Sequence, residues 1–301
     1  MSRDLTLNLP LQSAAAGGQT NLDEGSVFFV GTATVIIRFA GFTILTDPNF
    51  LHAGDHVHLG YGLTSERLTE PAFDIDELPP VDFCILSHYH GDHFDQIVEE
   101  KLRKDLPIIT TEQAVGELEA RGFMGGVALD TWDSVTIEGS EARLRITSMP
   151  GKHGPPIVDV ALPDVMGSML DFENRNGERL LRMYITGDTL VFDEINEIPR
   201  RYPGVDLALL HLGGTRVLGV LVTMDDQQGV EMMRIIQPEK AIPIHYNDYD
   251  VFKSPLEDFK RAIEEAGMSD RMIYLAHGEA YTFRSRYAGG GTDRVRGTTS
   301  R

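Results

Sequence analysis

Short runs in which apolar residues alternate or cluster are interleaved with longer runs in which they recur every three or four positions. SVFFV, ATVIIRF and FTILT, near the start, are β-branched and aromatic, with Gly31 and Gly41 between them. That pattern predicts three antiparallel strands. VDFCIL, SVTIE, ARLRITSM, LLRMYIT, VDLALL and AIPI predict further strands. EQAVGELEAR, DQQGVEMMRII and PLEDFKRAIEEAG carry apolar positions at helical spacing, and the last ends at Gly267, a natural stop for a helix. Strands precede helices in the first half, and the order repeats loosely in the second. Two mixed sheets with helices outside them, forming one domain, follow from this order. No repeat of 20–50 residues marks a solenoid.

The two ends depart from this pattern. MSRDLTLNLPLQSAAAGG has one Arg and an apolar stretch broken by Asn8, Pro10 and Gln12, a poor signal peptide. Residues 1–24 are therefore expected to be a flexible leader, and 25–287 the single domain. The Gly-, Ser- and Thr-rich stretch over 288–301 is expected to be a disordered tail.

Composition narrows the function. The 301 residues are 42% hydrophobic and 24% charged, enough for a substantial core. No run of roughly 20 apolar residues predicts a membrane span. Acidic residues number 46 against 27 basic ones, a formal charge of −19. Such a surface repels phosphate backbones and anionic lipid, so neither nucleic acid nor a firmly docked membrane is expected as a partner. A cation-rich site inside it can still take a small anion, because local charge dominates at contact distance. The one cysteine, Cys84, lies within VDFCIL. It reads as a small buried hydrophobe, and the lack of an internal disulfide fits a cytoplasmic protein. Homo-oligomerisation is left open.

Four apolar runs end in residue types that bind metals. VDFCILS runs into His88-Tyr89-His90-Gly91-Asp92-His93, LRITSMPGK into His153, RMYITG into Asp188 and KAIPI into His245. Ligands of α/β proteins collect beyond the carboxyl ends of strands, so these loops should meet at one edge. His88 and His90, two apart, point the same way in an extended segment and can share one ion. Gly91 allows a tight turn, after which Asp92 and His93 can face a second ion. Imidazole and carboxylate without thiolate suit Zn²⁺ first, with Mn²⁺ and Fe²⁺ also accommodated. Four ligand-type residues in six positions, flush against a buried strand, weigh against an ordinary polar loop.

SHYHGDH resembles the HxHxDH signature of the metallo-β-lactamase superfamily, and Thr46-Asp47-Pro48 resembles its first motif. His153, Asp188 within TGD, and His245 within IPIHY follow in the family's order, so the resemblance runs from about Val27 to Phe283. GTATVIIRFAGFTILTDP, KHGPP, ITGDT, GGT with the later TMD, and IPIHY are most similar to the branch containing L-ascorbate-6-phosphate lactonase. N-acyl-phosphatidylethanolamine phospholipase D is a more distant likeness. Relatives often read GHAT where this chain has Gly31-Thr32-Ala33-Thr34, at a position that is not a metal ligand. The resemblance implies a four-layer αββα sandwich. It implies a first metal on His88, His90 and His153, a second on Asp92, His93 and His245, and Asp188 bridging the two. Asp47 would hold a ligand imidazole by a hydrogen bond.

Two such cations can share a water and lower its pKa toward neutrality, giving a bridging hydroxide as nucleophile, with Asp92 moving the proton to the leaving group. No G-x-S-x-G elbow offers a serine route. The expected substrate is a small anionic molecule carrying an ester or lactone, such as a phosphorylated sugar acid. Phosphodiester hydrolysis, including phospholipase D-like cleavage, is the alternative, and a non-catalytic metal-binding protein the next. Di-iron redox relatives typically carry Glu in place of His90 and add a flavin domain; neither is found here. His56, His58, Tyr246, Asn247 and His211 are candidate substrate contacts, although His211 also suits a supporting place behind the ligands. Thr223 and Asp226 read as the cap and third residue of a helix, with Asp225 a weaker neighbour of the site. His277 reads as structural, and Tyr89 should face away from the metals.

Overall fold

The computed structural model describes residues 2–11, 20–59, 64–155, 162–217, 219–286 and 294–297. Part of the LHAGDHVHLGYG loop, Pro156 of KHGPP and most of the expected tail lie outside these.

The strands are β1 (Asp4–Leu7), β2 (Glu24–Gly31), β3 (Thr34–Phe39), β4 (Phe42–Thr46), β5 (His56–His58), β6 (Thr64–Glu66), β7 (Phe83–Ile85), β8 (Ile108–Thr110), β9 (Gly126–Ala128) and β10 (Ser134–Glu138). They continue with β11 (Ala142–Met149), β12 (Gly167–Asn174), β13 (Arg179–Ile185), β14 (Leu207–His211), β15 (Arg216–Val217), β16 (Val220–Leu221), β17 (Lys240–Ile244), β18 (Glu279–Arg284) and β19 (Arg294–Gly297). Among the described residues five α-helices join them: α1 (Gln96–Lys101), α2 (Glu112–Ala120), α3 (Glu197–Arg201), α4 (Asp226–Ile236) and α5 (Leu256–Glu265).

Among the described residues the strands form two large mixed sheets. One runs β19-β18-β2-β3-β4-β7-β8-β9, the other β1-β10-β11-β12-β13-β14-β17. Each is mixed and ends parallel: β4, β7 and β8 pair in parallel, as do β13, β14 and β17. The main core lies between the sheets, where Val27, Phe29, Val35 and Ile37 meet Val135, Ile137, Leu144 and Ile146. Met232, Met233, Ile236, Phe259 and Ile263 of α4 and α5 extend that core over the second sheet. A second cluster packs Val98 of α1 and Ala114 and Leu118 of α2 on the outer side of Ile36, Cys84 and Ile108. The expected four layers, helix-sheet-sheet-helix, are thus observed. Cys84 is fully buried, and burial pushes its thiol well up.

All nine runs predicted as strands are strands, and all three predicted helices are helices. Gly267 lies just past α5 at φ 69°, where glycine avoids the Cβ penalty. Two elements lie in the ends. Asp4–Leu7, within the stretch expected to be a flexible leader, pairs in parallel with β10. Arg294–Gly297, within the expected disordered tail, pairs antiparallel with β18. Among the described residues no helix is long and apolar enough to cross a membrane.

Candidate metal centre

The carboxyl ends of β7, β11, β13 and β17 release the four loops that carry the candidate ligands. After β7 the chain turns sharply: the amides of His93 and Phe94 both donate to the His90 carbonyl, at 3.0 and 2.7 Å. Gly91 is required there for a close approach instead of for an unusual backbone angle. A Cβ on it would stand 3.0 Å from the His58 carbonyl and 3.1 Å from Val57 Cβ. Asp95 then opens α1, accepting from the Val98 amide at 2.9 Å, the Leu51 amide at 3.1 Å and the Phe50 amide. It ties the ligand loop to the segment after β4. Before Asp188, Gly187 has φ 63°, and a Cβ would meet the Met166 carbonyl at 2.6 Å.

These loops bring the seven expected ligands together in two groups. His88, His90 and His153 form one; Asp92, His93, Asp188 and His245 form the other. Within each, one donor atom per residue lies within 4.8 Å of the others. All are buried except His90, which is half-buried.

The hydrogen bonds behind the rings fix which nitrogen faces inward. His153 Nδ1 donates to the Val222 carbonyl at 2.9 Å, and His245 Nδ1 to the Leu212 carbonyl at 3.0 Å. His93 Nδ1 faces Asp47 Oδ1 at 3.2 Å. Ser87 Oγ donates to Asp47 Oδ1 at 2.7 Å, so it can accept from His88 Nδ1, 3.0 Å away. Carbonyl and carboxylate oxygens only accept, so these rings keep their protons on Nδ1 and turn bare Nε2 lone pairs inward. There His93 Nε2 lies 3.1 Å from His245 Nε2, and His90 Nδ1 lies 3.2 Å from His88 Nε2 and 3.4 Å from His153 Nε2. Facing lone pairs repel unless positive charge lies between them.

The electrostatics differ between the two groups, and each favours a cation. Burial, then the charges of His93, His90 and His153, hold His88 far below the ordinary imidazole value. His90 is lowered to about 3 by burial and by His153. In the second group burial opposes charge, but Asp188 and Asp92 outweigh it and raise His93 well up. Asp188 is held well below the usual carboxylate range, because His245 and His93 overcome the upward pull of burial. Among the described residues Asp92 Oδ1 and Asp188 Oδ1 are buried without a hydrogen-bond partner. An unsatisfied buried polar atom costs about 1–3 kcal/mol. Three imidazoles held neutral, and two carboxylates whose charge draws positive charge toward His93 and His245, make a donor set that fits divalent cations.

Asp47 takes the supporting place expected of it. It is buried at φ 35° and accepts from the Ser87 amide at 2.8 Å. Burial would raise its pKa, but the imidazoles of His211 and His93 pull it further down. His211 is fully buried, with Nδ1 3.2 Å from Thr186 Oγ1 and Nε2 3.7 Å from Asp47 Oδ2. It stands behind His93, not at a surface where substrate would arrive. Tyr89 faces away, its hydroxyl donating to Glu99. His277 is structural, with Nδ1 donating to the Glu70 carbonyl at 2.9 Å and Nε2 3.2 Å from Asp248.

Two expectations, on Tyr246 and on Thr223, are corrected. Tyr246 turns inward: its hydroxyl donates to the Leu275 carbonyl at 3.2 Å and its ring packs near Phe29. Asn247, at φ 60°, places its side-chain carbonyl 3.2 Å from the Leu256 amide, at the start of α5. Tyr246 is thus held inside the fold, while Asn247 is exposed with its side-chain carbonyl engaged. Thr223 does not cap α4; Asp225 does, accepting from the Gln228 amide at 3.1 Å. Thr223 instead donates to Asp188 Oδ2 at 3.2 Å, fully buried.

His56 and His58 flank β5 with exposed side chains. His58 lines a cavity of about 570 Å³ that also reaches Tyr89, His90, Gln96 and Arg121. His56 does not line it. Thr32, marked in the sequence only as a departure at a position that binds no metal, has a carbonyl that accepts from the His245 amide at 2.6 Å and so holds that ligand's backbone at φ 61°. A β-branched residue at φ 51° is an outlier that only a surrounding clamp maintains.

A family model described as the beta-lactamase superfamily domain matches residues 40–246. A UPF0173 metal-dependent hydrolase from Methanopyrus kandleri is 26% identical over 85% of this chain and 98% of its own length. The structure is similar to an isothiocyanate hydrolase from Delia radicum gut bacteria, with a TM-score of 0.74 and 19% identity over 86% of this chain and 99% of that one. It is also similar to a possible metal-dependent hydrolase from Veillonella parvula, with a TM-score of 0.70 and 20% identity over 85% and 98% of the two chains.

Proposed function

The chain belongs to the β-lactamase superfamily as a metal-dependent hydrolase, and from that premise we propose that it uses two divalent cations to open a small ester or lactone. The observation that carries the reading is the inward-turned donor set, two groups sharing one buried floor. His88, His90 and His153 would hold one cation; Asp92, His93 and His245 the other; and Asp188, with its free Oδ1, would serve both. Bound there, Zn²⁺ or Mn²⁺ supplies a water of lowered pKa and a Lewis acid for the attacked carbonyl.

The protein's own groups do the rest. Asp92 Oδ1 has no partner among the described residues, and Oδ2 has only His245 Nε2 within hydrogen-bond reach, at 3.4 Å, so the carboxylate is free to take and return a proton. The buried walls keep bulk water from the donors, which strengthens every charge interaction inside. The cavity beside half-buried His90, with His58 on its rim, is the space for the substrate's remaining atoms. Its Arg121 is already paired with Glu99 at 3.0 Å and Glu117 at 2.7 Å. An anionic substrate would therefore find its counter-charge mainly at the cations. A lactonase of the ascorbate-6-phosphate type, acting in the cytoplasm, is the specific form of this proposal.

Elemental analysis of the purified protein, paired with a panel of lactones, aryl esters and phosphodiesters, tests it. Two metals per chain and turnover of lactones or esters is the expected result. Exclusive turnover of phosphodiesters would replace the bond class, and one metal per chain with undiminished turnover would remove the two-cation reading.

A further inference from the structure

A buried arginine without a carboxylate partner stands behind the ligand loop. Arg67 is fully buried. Among the described residues its guanidinium is hydrogen-bonded by neutral groups only: Asn49 Oδ1 on Nη1, and the Thr69 carbonyl at 3.0 Å and hydroxyl at 3.3 Å on Nε. Nη2 has no hydrogen-bond partner, and the group lies 5.3 Å from the ring centroid of Tyr249. Burying a cation this way is costly. What it does is set one amide. Tyr249 Oη also donates to Asn49 Oδ1, at 2.9 Å. A guanidinium cannot accept, so the oxygen of Asn49 must face Arg67 and its nitrogen must face the other way. There Asn49 Nδ2 donates to the Gly91 carbonyl at 3.0 Å. That carbonyl belongs to the peptide joining Gly91 to Asp92, so its rotation sets where the Asp92 side chain leaves the backbone. The backbone of Asn49 is pinned in turn, its amide donating to Thr34 Oγ1 at 2.9 Å.

We propose that Asn49, oriented by Arg67 and Tyr249, is a positioning residue that aims Asp92 at the metal centre by holding the Gly91 carbonyl. This rests on the two-cation reading of that centre. Asp92 contributes little of its own restraint, with Oδ1 free and Oδ2 at 3.4 Å from His245, so the peptide behind it decides its direction.

Asn49→Asp separates positioning from mere support. It keeps the size and gives Arg67 a carboxylate, so lost hydrogen bonding is offset by charge. It also turns an oxygen toward the Gly91 carbonyl in place of a donor. The readouts are Co²⁺ affinity by competition with a chelator, the visible absorption of the Co²⁺ protein, and the melting curve of the metal-free protein. Positioning predicts a changed Co²⁺ spectrum and affinity about 10-fold weaker or more, the size typical of removing support behind a ligand, with the metal-free melt retained. Tyr249→Phe removes one of the two donors on Asn49 Oδ1 while Arg67 stays, and should shift the Co²⁺ spectrum in the same direction as Asn49→Asp but by less. If Asn49→Asp does not fold, Asn49→Ala removes the donor without adding charge and should weaken Co²⁺ likewise. A folded variant of either kind with wild-type spectrum and affinity overturns the positioning role alone. Failure of the wild-type protein to take up Co²⁺ overturns the metal-centre reading and this one with it.

Discussion

Thr223→Val removes one hydroxyl and almost nothing else. The side chain is fully buried, and Val keeps its branching and its volume. The lost contact is the 3.2 Å hydrogen bond to Asp188 Oδ2. A hydrogen bond to a charged group contributes about 1.5–3 kcal/mol. Among the described residues no other hydroxyl or amide holds Asp188: Oδ1 is 3.5 Å from His245 Nδ1 without a hydrogen bond, and Oδ2 otherwise faces His93 Nε2 at 3.3 Å. Loss of orientation at a ligand typically weakens metal affinity about 10–100-fold, which is about 1.4–2.7 kcal/mol and matches the hydrogen bond removed. We therefore expect Zn²⁺ affinity, measured by competition with a chromogenic chelator, to fall by about 10–100-fold. Thr223→Ser, which keeps the hydroxyl, should stay within a few-fold of wild type. At fixed free Zn²⁺ the melting temperature of Thr223→Val should drop by a few degrees, because weaker binding stabilises less. Wild-type affinity in a folded Thr223→Val protein would refute the chain of reasoning from hydroxyl to carboxylate to metal.

Asp188→Asn, once shown to be folded and loaded, should lower kcat by about 100-fold or more on whichever substrate the panel identifies, because it removes the charge set against two dications; steady-state kinetics with His277→Gln as the control, expected within a few-fold of wild type, decides this. Chelation should lower the melting temperature of the wild-type protein, by the equivalent of about 2.7 kcal/mol for each site held at 100 times its Kd, and an unchanged calorimetric trace after verified metal removal would contradict it. His277 supplies the pH test: burial lowers its pKa, but the Asp248 carboxylate beside it outweighs burial and raises it. A folded pKa above the unfolded value adds stability that is complete below about pH 6.5 and lost as the pH rises through the folded value. The stability advantage of wild type over His277→Gln in urea should accordingly shrink from pH 6 toward alkaline pH, and a gap that widens would refute it.

The ligands were legible because their chemistry is concentrated. Four of the seven sit in one six-residue stretch, and each remaining one closes an apolar strand run. What supports them was not legible. Thr223 has the spacing of a cap, but the chain runs extended for two more residues and the true cap is Asp225, so only the fold turns Thr223 toward Asp188. Arg67, Asn49 and Tyr249 are far apart along the chain and share no local pattern. Tyr246 and Asn247 follow a ligand directly, yet positive φ at His245 and Asn247 swings successive side chains apart. The strand β12 escaped because Ser168 and Asp171 interrupt its apolar run. Asp171 is buried there only because Arg182 on the neighbouring strand pairs with it at 2.6 Å.

The two sheets are also nearly the two consecutive halves of the chain. Strands β2 to β9 fall before Leu129 and strands β10 to β17 after it, apart from the short hairpins β5–β6 and β15–β16 and the exchanged ends β1, β18 and β19. Each ligand group draws on both halves: His88 and His90 with His153, and Asp92 and His93 with Asp188 and His245. A cation at either place is therefore a clasp between two half-molecules as much as a reagent. In the unfolded chain His153, Asp188 and His245 are separated from the 88–93 stretch by whole strands and helices, so neither half carries a complete donor set. The turn between Ala128 and Ser134 is where the chain could be cut, leaving two pieces whose reunion is reported by the metal they close around.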